Sequence, residues 1–241
     1  MNISVTSKPP VSFPDHILDI SIGKKILMAV TGFVAFGFVL GHMAGNLQIF
    51  ISQDQMNSYA EKLQSLGVFL WAIRLFLVCA IVIHVWFGIK LKLEAWKARP
   101  VSYRNEHTVA ATFSSRTMIW TGLIIAIFLV YHLLHFTFRT TNPEFATLTD
   151  SMGRPDTYSM VILGFSNVPI SIFYVIGVGL LSYHLSHGVA SMFQSLGLNT
   201  ERWQLRLHWI AWFFTVLLFV GFASIPLAVI TGCTQLVPGG R

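Results

Sequence analysis

The stretch "TMIWTGLIIAIFLVYHLLHF", residues 117–136, decides the class of this protein. It holds no Asp, Glu, Lys or Arg, and about 20 apolar residues are what an α-helix needs to cross the hydrocarbon core of a bilayer. Two histidines, His132 and His135, lie one helical turn apart near its end. A polar side chain at membrane depth normally faces the interior of a helix bundle and has a partner there. The stretch therefore predicts a membrane helix whose imidazoles have a binding role.

The composition of the whole chain indicates the same class. Hydrophobic residues make up 54% of the 241 residues, charged residues only 11%, and the mean hydropathy is +0.65, whereas charged residues make up about 25% of a typical soluble domain. The net charge of +6 could indicate a nucleic-acid partner, but the basic residues cluster at the edges of apolar segments, as membrane topology requires. We therefore expect an all-α integral membrane protein that contacts membrane lipids and no nucleic acid.

Five apolar segments are long enough to span a membrane. They cover residues of about 24–50, 67–96, 115–139, 167–195 and 205–233. The connections between them are polar, and no internal repeat is recognised. This pattern predicts two parts, a cytoplasmic N-terminal arm at residues 1–22 and a five-helix membrane domain at residues 23–241.

The basic residues predict the orientation of the five spans. Eleven of the 16 Lys and Arg residues fall on the side of the N-terminus, and five fall on the other side, namely Lys62, Arg74, Arg139, Arg154 and Arg241. Because basic residues are enriched on the cytoplasmic side, we expect the N-terminus in the cytoplasm and the C-terminus outside. The connection at residues 100–114 is then cytoplasmic, and the connection at residues 140–165 is external.

Four histidines fall into two layers once the direction of each span is known, since a helix rises about 1.5 Å per residue. His42 lies 18 residues into the first span from residue 24, and His132 lies 16 residues into the third from residue 116, so both are near the outer face. His84 and His184 each lie 17 residues from the outer end of a span that runs inward. Two depth-matched pairs follow, His42 with His132 and His84 with His184.

Paired imidazoles on facing helices are ligands that suit haem iron in a helix bundle. The four histidines would hold two stacked haems b inside the bundle, each ligated on both faces, an arrangement suited to electron transfer. Glycines one turn from three of these histidines, Gly45, Gly88 and Gly188, would leave space for a flat macrocycle. His135 and His187 each follow a candidate ligand by one turn, so spacing alone leaves the ligand of each doublet open.

A transporter whose histidines carry protons or bind a metal ion is the alternative from another class. It would require charged residues or broken helices at midmembrane depth. The sequence has little of either feature.

Four stretches carry a family resemblance, one in each of the first four spans: "GFVLGHMAGNLQIF", "IVIHVWFGIKLKLE", "LVYHLLHFTF" and "LSYHLSHGVASMFQSLG". In order and number they resemble the cytochrome b membrane anchor of succinate dehydrogenases and fumarate reductases, in its single-chain, five-helix, two-haem type. The resemblance implies the same two ligand pairs, and it favours the first histidine of each doublet, His132 and His184. Where some fumarate reductase members have a glutamate two residues before the fourth-span ligand, this chain has Ser182.

The resemblance also implies a reaction. A flavoprotein subunit would oxidise succinate, an iron–sulfur subunit would pass the electrons on, and a quinone, most commonly menaquinone, would be reduced in the membrane. This chain would be the non-flavin anchor and haem relay of succinate dehydrogenase in a bacterial cytoplasmic membrane, since it has no flavin motif or cysteine cluster of its own. The alternative is a di-haem cytochrome b subunit of a fumarate reductase, nitrate reductase, formate dehydrogenase or hydrogenase.

The quinone site is expected beside the outer haem, because electrons from a cytoplasmic partner meet the inner haem first. Glu61 is the leading candidate, since the resemblance includes a glutamate in the first outer connection and a carboxylate can supply protons to a reduced quinone. Gln48 and His135 are further candidates for a quinone carbonyl. A competing location lies at the inner face, near Arg116 and Trp120.

Overall fold

The computed structural model describes residues 20–98 and 113–237, with the side chains of residues 113–115 and 201 excepted. Within these ranges the chain forms seven α-helices: α1 Ser21–Asn46, α2 Gln53–Ser65, α3 Val68–Lys97, α4 Phe113–His132, α5 Thr157–Phe165, α6 Val168–Ser195 and α7 Glu201–Ile230. Three short turns add to them, the 3-10 turns Leu47–Phe50 and Pro143–Ala146 and the π-helical turn Leu133–Thr137. The described ranges hold no β-strand, only an isolated bridge between Thr149 and Pro155.

Five of the helices, α1, α3, α4, α6 and α7, are long and apolar enough to cross a membrane. The candidate spans cover Ser21–Phe50, Val68–Lys97, Arg116–Thr137, Val168–Ser195 and Arg202–Ile230. Each end lies within about three residues of the predicted bounds, because the length of an apolar run fixes a span locally. The prediction of an all-helical membrane protein with five spans is confirmed. Most of the predicted arm at residues 1–22 and of the connection at residues 100–114 lies outside the described residues.

Helix α6 connects the bundle. It packs against α1, α4 and α7, and α1 packs in turn along α3. Gly177 on α6 allows the close approach of α4, since a Cβ atom at this position would lie 2.5 Å from the Phe128 ring. The bundle therefore contains two antiparallel pairs, α1 with α3 and α4 with α6, which are joined through α1 and α6 and flanked by α7.

One membrane face of the bundle is marked by an ion pair. Lys24, near the start of α1, pairs with Glu94, near the end of α3, and the lysine is only 3% exposed. Because α1 and α3 are antiparallel, the pair lies at the face where α1 begins and α3 ends. We name this the inner face, since the charge distribution predicts it to be cytoplasmic.

An outer cap covers the opposite face and consists of α2 together with residues 143–165, which include α5. Asn57 on α2 is fully buried and donates hydrogen bonds to Asp150 at 3.2 Å and to Asp156 at 3.0 Å. Its side-chain oxygen accepts from the Tyr158 N–H at 3.0 Å. Asp156 also caps the N-terminus of α5 by accepting from the Ser159 amide. The sequence predicted these two segments only as polar connections.

Arg154 holds the outer cap together from its surface side. Its guanidinium donates to Asp150 at 2.8 Å, to Asp54 at 2.8 Å and to the Ser58 hydroxyl at 2.7 Å. Burial of Asp150 acts to raise its pKa, but the hydrogen bonds from Arg154 and Asn57 outweigh it and hold the pKa below the ordinary 3.8. The hydrogen bonds that Arg154 donates to Asp150 and Asp54 raise the pKa of Arg154 itself. The outer cap is therefore fastened by a charged network between α2 and the connection that follows α4.

Helix α4 ends in a wider turn. After His132 the Phe138 N–H donates to the Leu133 carbonyl at 2.7 Å, closing a π-helical turn. The chain then leaves the turn through Arg139, whose φ of +57° lies in the left-handed region. Single π-turns of this kind are frequent at functional sites, and this one begins directly after His132 and contains His135.

Candidate functional site

The outer pair of predicted histidines meets across two helices. His42 on α1 and His132 on α4 have ring centroids 5.8 Å apart, with the ring planes at 84°. Phe38 stacks on His42 at 5.3 Å, and Phe128 stacks on His132 at 6.3 Å. Two imidazoles from facing spans are thus brought together within an aromatic surrounding.

The inner pair comes from the other two spans, His84 on α3 and His184 on α6. Each ring rests on a glycine of a neighbouring helix. A Cβ atom at Gly32 would lie 3.1 Å from Cε1 of His84, and a Cβ atom at Gly122 would lie 3.4 Å from Cε1 of His184.

The Nδ1 atoms of His84 and His184 both have hydrogen-bond partners, and the partner of His84 fixes its proton. Nδ1 of His84 lies 3.0 Å from the Met28 carbonyl oxygen, and a carbonyl can only accept, so the proton is on Nδ1. Nδ1 of His184 lies 3.0 Å from the Thr121 hydroxyl. In His84 this leaves the lone pair on Nε2, the arrangement found when a histidine binds a metal through Nε2 and donates from Nδ1. The hydroxyl of Thr121 can accept as well as donate, so the same arrangement is open to His184.

The outer pair has polar neighbours of its own. Nδ1 of His132 lies 3.5 Å from the Tyr174 hydroxyl. The Asn46 amide donates to the His42 carbonyl at 2.8 Å and lies 3.4 Å from Nε2 and 3.5 Å from Nδ1 of the same ring. The contacts to the outer rings are longer than those of the inner pair, so the outer imidazoles are held less firmly by the protein.

The second histidine of the third span has a different environment. His135 is 0% exposed, and its Nδ1 lies 3.0 Å from the Tyr174 hydroxyl. Its ring packs 4.1 Å from Phe136 and 5.9 Å from Phe145, and its Nε2 has no hydrogen-bond partner in the described part of the chain. The structure places His132 opposite His42 and encloses His135 among aromatic rings. His187 is partly buried, as is His184.

The three candidate quinone residues lie at the outer end of the bundle but are not joined to each other. Glu61 is on the exposed side of α2, Gln48 accepts from the Gln55 amide at 3.0 Å, and His135 is enclosed. Among the described residues no hydrogen bond links the three. Their roles stay a prediction.

The glycines expected to make room for a macrocycle differ from one another. Apart from its chain neighbours and the adjacent backbone of its own helix, no described atom lies within 4 Å of a Cβ added at Gly188, and at Gly88 the nearest such atom, at 4.0 Å, is the Met28 sulfur. At Gly45, however, a Cβ would lie 2.7 Å from the Tyr59 ring. The expectation of free space beside His42 is therefore wrong at Gly45, because α2 folds back and places a tyrosine there.

A repeated pattern links the two helix pairs, although no repeat was predicted. Thr31-Gly32 precedes His42 and Thr121-Gly122 precedes His132, and in both spans the histidine follows the threonine by 11 residues. The repeated Thr-Gly dipeptides lie against the rings of His84 and His184 respectively. Self-comparison of spans one and three could have found this signal.

These features define an all-helical bundle with five candidate membrane spans, in which imidazoles from two facing spans meet. The sequence model of the Succinate dehydrogenase/Fumarate reductase transmembrane subunit family matches residues 97–223, just over half of the 241. The chain belongs to this family, as its sequence resemblance predicted. The match includes His132 and His184 and begins after His42 and His84. No curated protein and no solved structure gives a significant match.

Proposed function

We propose that this chain is the membrane-anchor cytochrome b subunit of a succinate:quinone oxidoreductase, the membrane part of respiratory complex II. It would relay electrons from an iron–sulfur subunit through two bis-histidine haems b to a quinone, with menaquinone as the proposed acceptor. The family match supports the role as a transmembrane subunit of a succinate dehydrogenase or fumarate reductase. The observation that carries the haem assignment is the meeting of the His42 and His132 rings, which come from two facing spans.

The geometry of the pairs fits haem ligation. A metal–nitrogen bond of about 2 Å on each side of an iron corresponds to ring centroids roughly 6 Å apart, and the centroids of His42 and His132 are 5.8 Å apart. In the inner pair, the protonated Nδ1 of His84 leaves Nε2 free for iron, and the Thr121 hydroxyl can accept from Nδ1–H of His184 in the same arrangement. A bound haem supplies one-electron transfer, and the apolar spans exclude water from it.

His132 is favoured over His135 as the haem ligand from the third span. It faces His42, whereas the ring of His135 is surrounded by Tyr131, Phe136 and Phe145. His184 is favoured over His187 because its Nδ1 has a hydroxyl partner on the facing helix. We therefore propose the pairs His42 with His132 and His84 with His184.

The inner face is the proposed docking surface for the iron–sulfur subunit, with the flavoprotein subunit beyond it. Arg202 and Arg206 at the start of α7 lie on this face, and Arg206 is 5.2 Å above the Trp203 ring. Basic side chains at this level suit both an acidic partner surface and anionic lipid headgroups. The proposed location is a bacterial cytoplasmic membrane, with the N-terminus in the cytoplasm.

The proposed quinone site lies beside the outer haem. Glu61 on α2, Gln48 in the turn that follows α1 and His135 in the π-helical turn are all at this end of the bundle. Glu61 is exposed and so can exchange protons with water, which is what delivery of protons to a reduced quinone requires.

Haem counting in ligand variants tests the proposal. The assembled complex should contain two haems b per copy of this chain by pyridine haemochrome. Alanine at His84 or at His184 should remove one and the same haem, identified by its wave in a redox titration, and alanine at His42 or His132 should remove the other. Alanine at His187 should leave both. A complex without haem, or loss of a haem in His135→Ala but not in His132→Ala, would contradict the assignment.

A further inference from the structure

A threonine on α4 connects that helix to a proposed haem ligand on α6. Thr121 is 6% exposed, and its hydroxyl oxygen lies 3.0 Å from Nδ1 of His184 and 3.1 Å from the Met118 carbonyl oxygen. A hydroxyl has one proton and two lone pairs. With His184 bound to iron through Nε2, as proposed, its proton is on Nδ1, and the Thr121 oxygen accepts from it. The hydroxyl proton of Thr121 then goes to a carbonyl of its own helix, Met118 at 3.1 Å or Thr117 at 3.3 Å.

The equivalent threonine on α1 has a weaker hold on its histidine. The Thr31 hydroxyl donates to the Leu27 carbonyl at 2.7 Å and lies 3.5 Å from Nδ1 of His84. That Nδ1 donates to the Met28 carbonyl at 3.0 Å. The same Thr-Gly pattern therefore lies against both inner histidines, but only at His184 is the threonine the closer partner of Nδ1.

We propose that Thr121 is a positioning residue for His184, and that it sets the orientation and basicity of this ring toward the inner haem. The inference rests on the proposed haem function. A hydrogen bond to Nδ1–H fixes the tautomer and raises the electron density on Nε2, which favours ferric over ferrous iron. Thr121 acts through the histidine and does not touch the iron. Thr31 contributes less to the position of the His84 ring than Thr121 does to that of His184.

The test compares hydroxyl removal at the two positions in the assembled, full-length complex. Thr121→Val removes the hydroxyl at nearly constant volume, and Thr121→Ser returns it. Thr31→Val is the matched variant at the other histidine. Thr215→Val is the control, since Thr215 is buried in α7 and its hydroxyl donates to the Ala211 carbonyl of its own helix at 2.8 Å.

The main readout is an equilibrium redox titration of both haem waves. Loss of an outer-shell partner typically changes metal affinity about 10-fold or more. Because the bond to Nδ1–H favours ferric iron, we expect the loss of affinity to fall on the ferric state. Thr121→Val should then raise the ferrous-to-ferric ratio of one haem about tenfold at a fixed potential, which is about 59 mV for one electron. Thr121→Ser should restore the original wave. Thr31→Val should shift the redox wave of the same haem by less than half as much. Thr215→Val should shift the wave of neither haem.

Separate outcomes overturn the inference and the function on which it rests. Unchanged waves in Thr121→Val, or an equal shift in Thr121→Ser, would show that the hydroxyl does not position His184. Absence of haem from the unmodified complex would overturn the proposed function itself. If Thr121→Val does not assemble, Thr121→Ala removes the same hydroxyl with a smaller side chain, and a normal wave in that variant would equally contradict the inference.

Discussion

Substitution of Gly32 by alanine should weaken haem binding at the proposed inner site, between His84 and His184, by a predictable amount. The added Cβ would lie 3.1 Å from Cε1 of His84, about 0.3 Å inside the 3.4 Å at which ordinary contact begins. His84 cannot withdraw from it without disturbing the 3.0 Å hydrogen bond to the Met28 carbonyl. Overpacking of this kind costs about 1–3 kcal/mol, which corresponds to about 5- to 150-fold in affinity. We expect the inner haem to be bound more weakly by a factor in this range.

The measurement is haem retention of the purified complex during dilution, followed for each haem by its own redox wave. Gly122→Ala is the graded comparison, because its Cβ would meet His184 at an ordinary 3.4 Å. Gly37→Ala is the control on α1. Apart from the adjacent backbone of its own helix, no described atom lies within 4 Å of a Cβ added at Gly37. The reasoning is refuted if Gly32→Ala and Gly37→Ala retain the inner haem equally well.

Two further predictions concern the outer face. The pKa of Asp150 is held below its ordinary 3.8 in the folded protein, so its ionisation stabilises the outer cap fully above that value, and this contribution is lost as the pH falls through the lowered pKa. Amide hydrogen exchange of α2, corrected for its intrinsic pH dependence, should therefore accelerate only below about pH 4. Asp150→Asn removes the titrating carboxyl group and should lack this acceleration. An acceleration that persists in the variant belongs to another group. At the proposed quinone site, Glu61→Gln should leave both haems and succinate oxidation with a soluble artificial acceptor unchanged while quinone reduction falls at least tenfold, since general acid–base groups contribute about 10²–10⁴-fold. Unimpaired quinone turnover would instead favour the inner location near Arg116 and Trp120.

Local sequence properties were sufficient for the spans. A run of apolar residues and its flanking charges fix where each helix crosses the membrane, and depth along a helix follows from its regular rise. Matching depths were enough to pair His42 with His132 from the sequence, and the rings of these two residues do lie together in the folded bundle.

Local sequence properties did not predict the contacts between residues that are distant in the sequence. The hydrogen bond between Asn57 and Asp156 joins residues 99 positions apart, so neither sequence neighbourhood reveals it. The partner of His184 is likewise on another helix, 63 positions away. Helical spacing predicts the glycines that lie on the same helix as each histidine, whereas the glycines in closest contact with the inner rings, Gly32 and Gly122, lie on the facing helix. Tertiary packing, which a periodic pattern does not encode, decides these positions.

The close contacts of the inner histidines divide the chain in a way that bears on its biogenesis. His84 rests on Gly32 within the pair α1 and α3, and His184 rests on Gly122 within the pair α4 and α6. Each hairpin can therefore orient its own imidazole as soon as it has left the ribosome and entered the bilayer. The proposed ligand pairs, in contrast, always take one histidine from each hairpin. Insertion of haem would then be the event that joins two independently prepared halves, and it would follow the synthesis of α6.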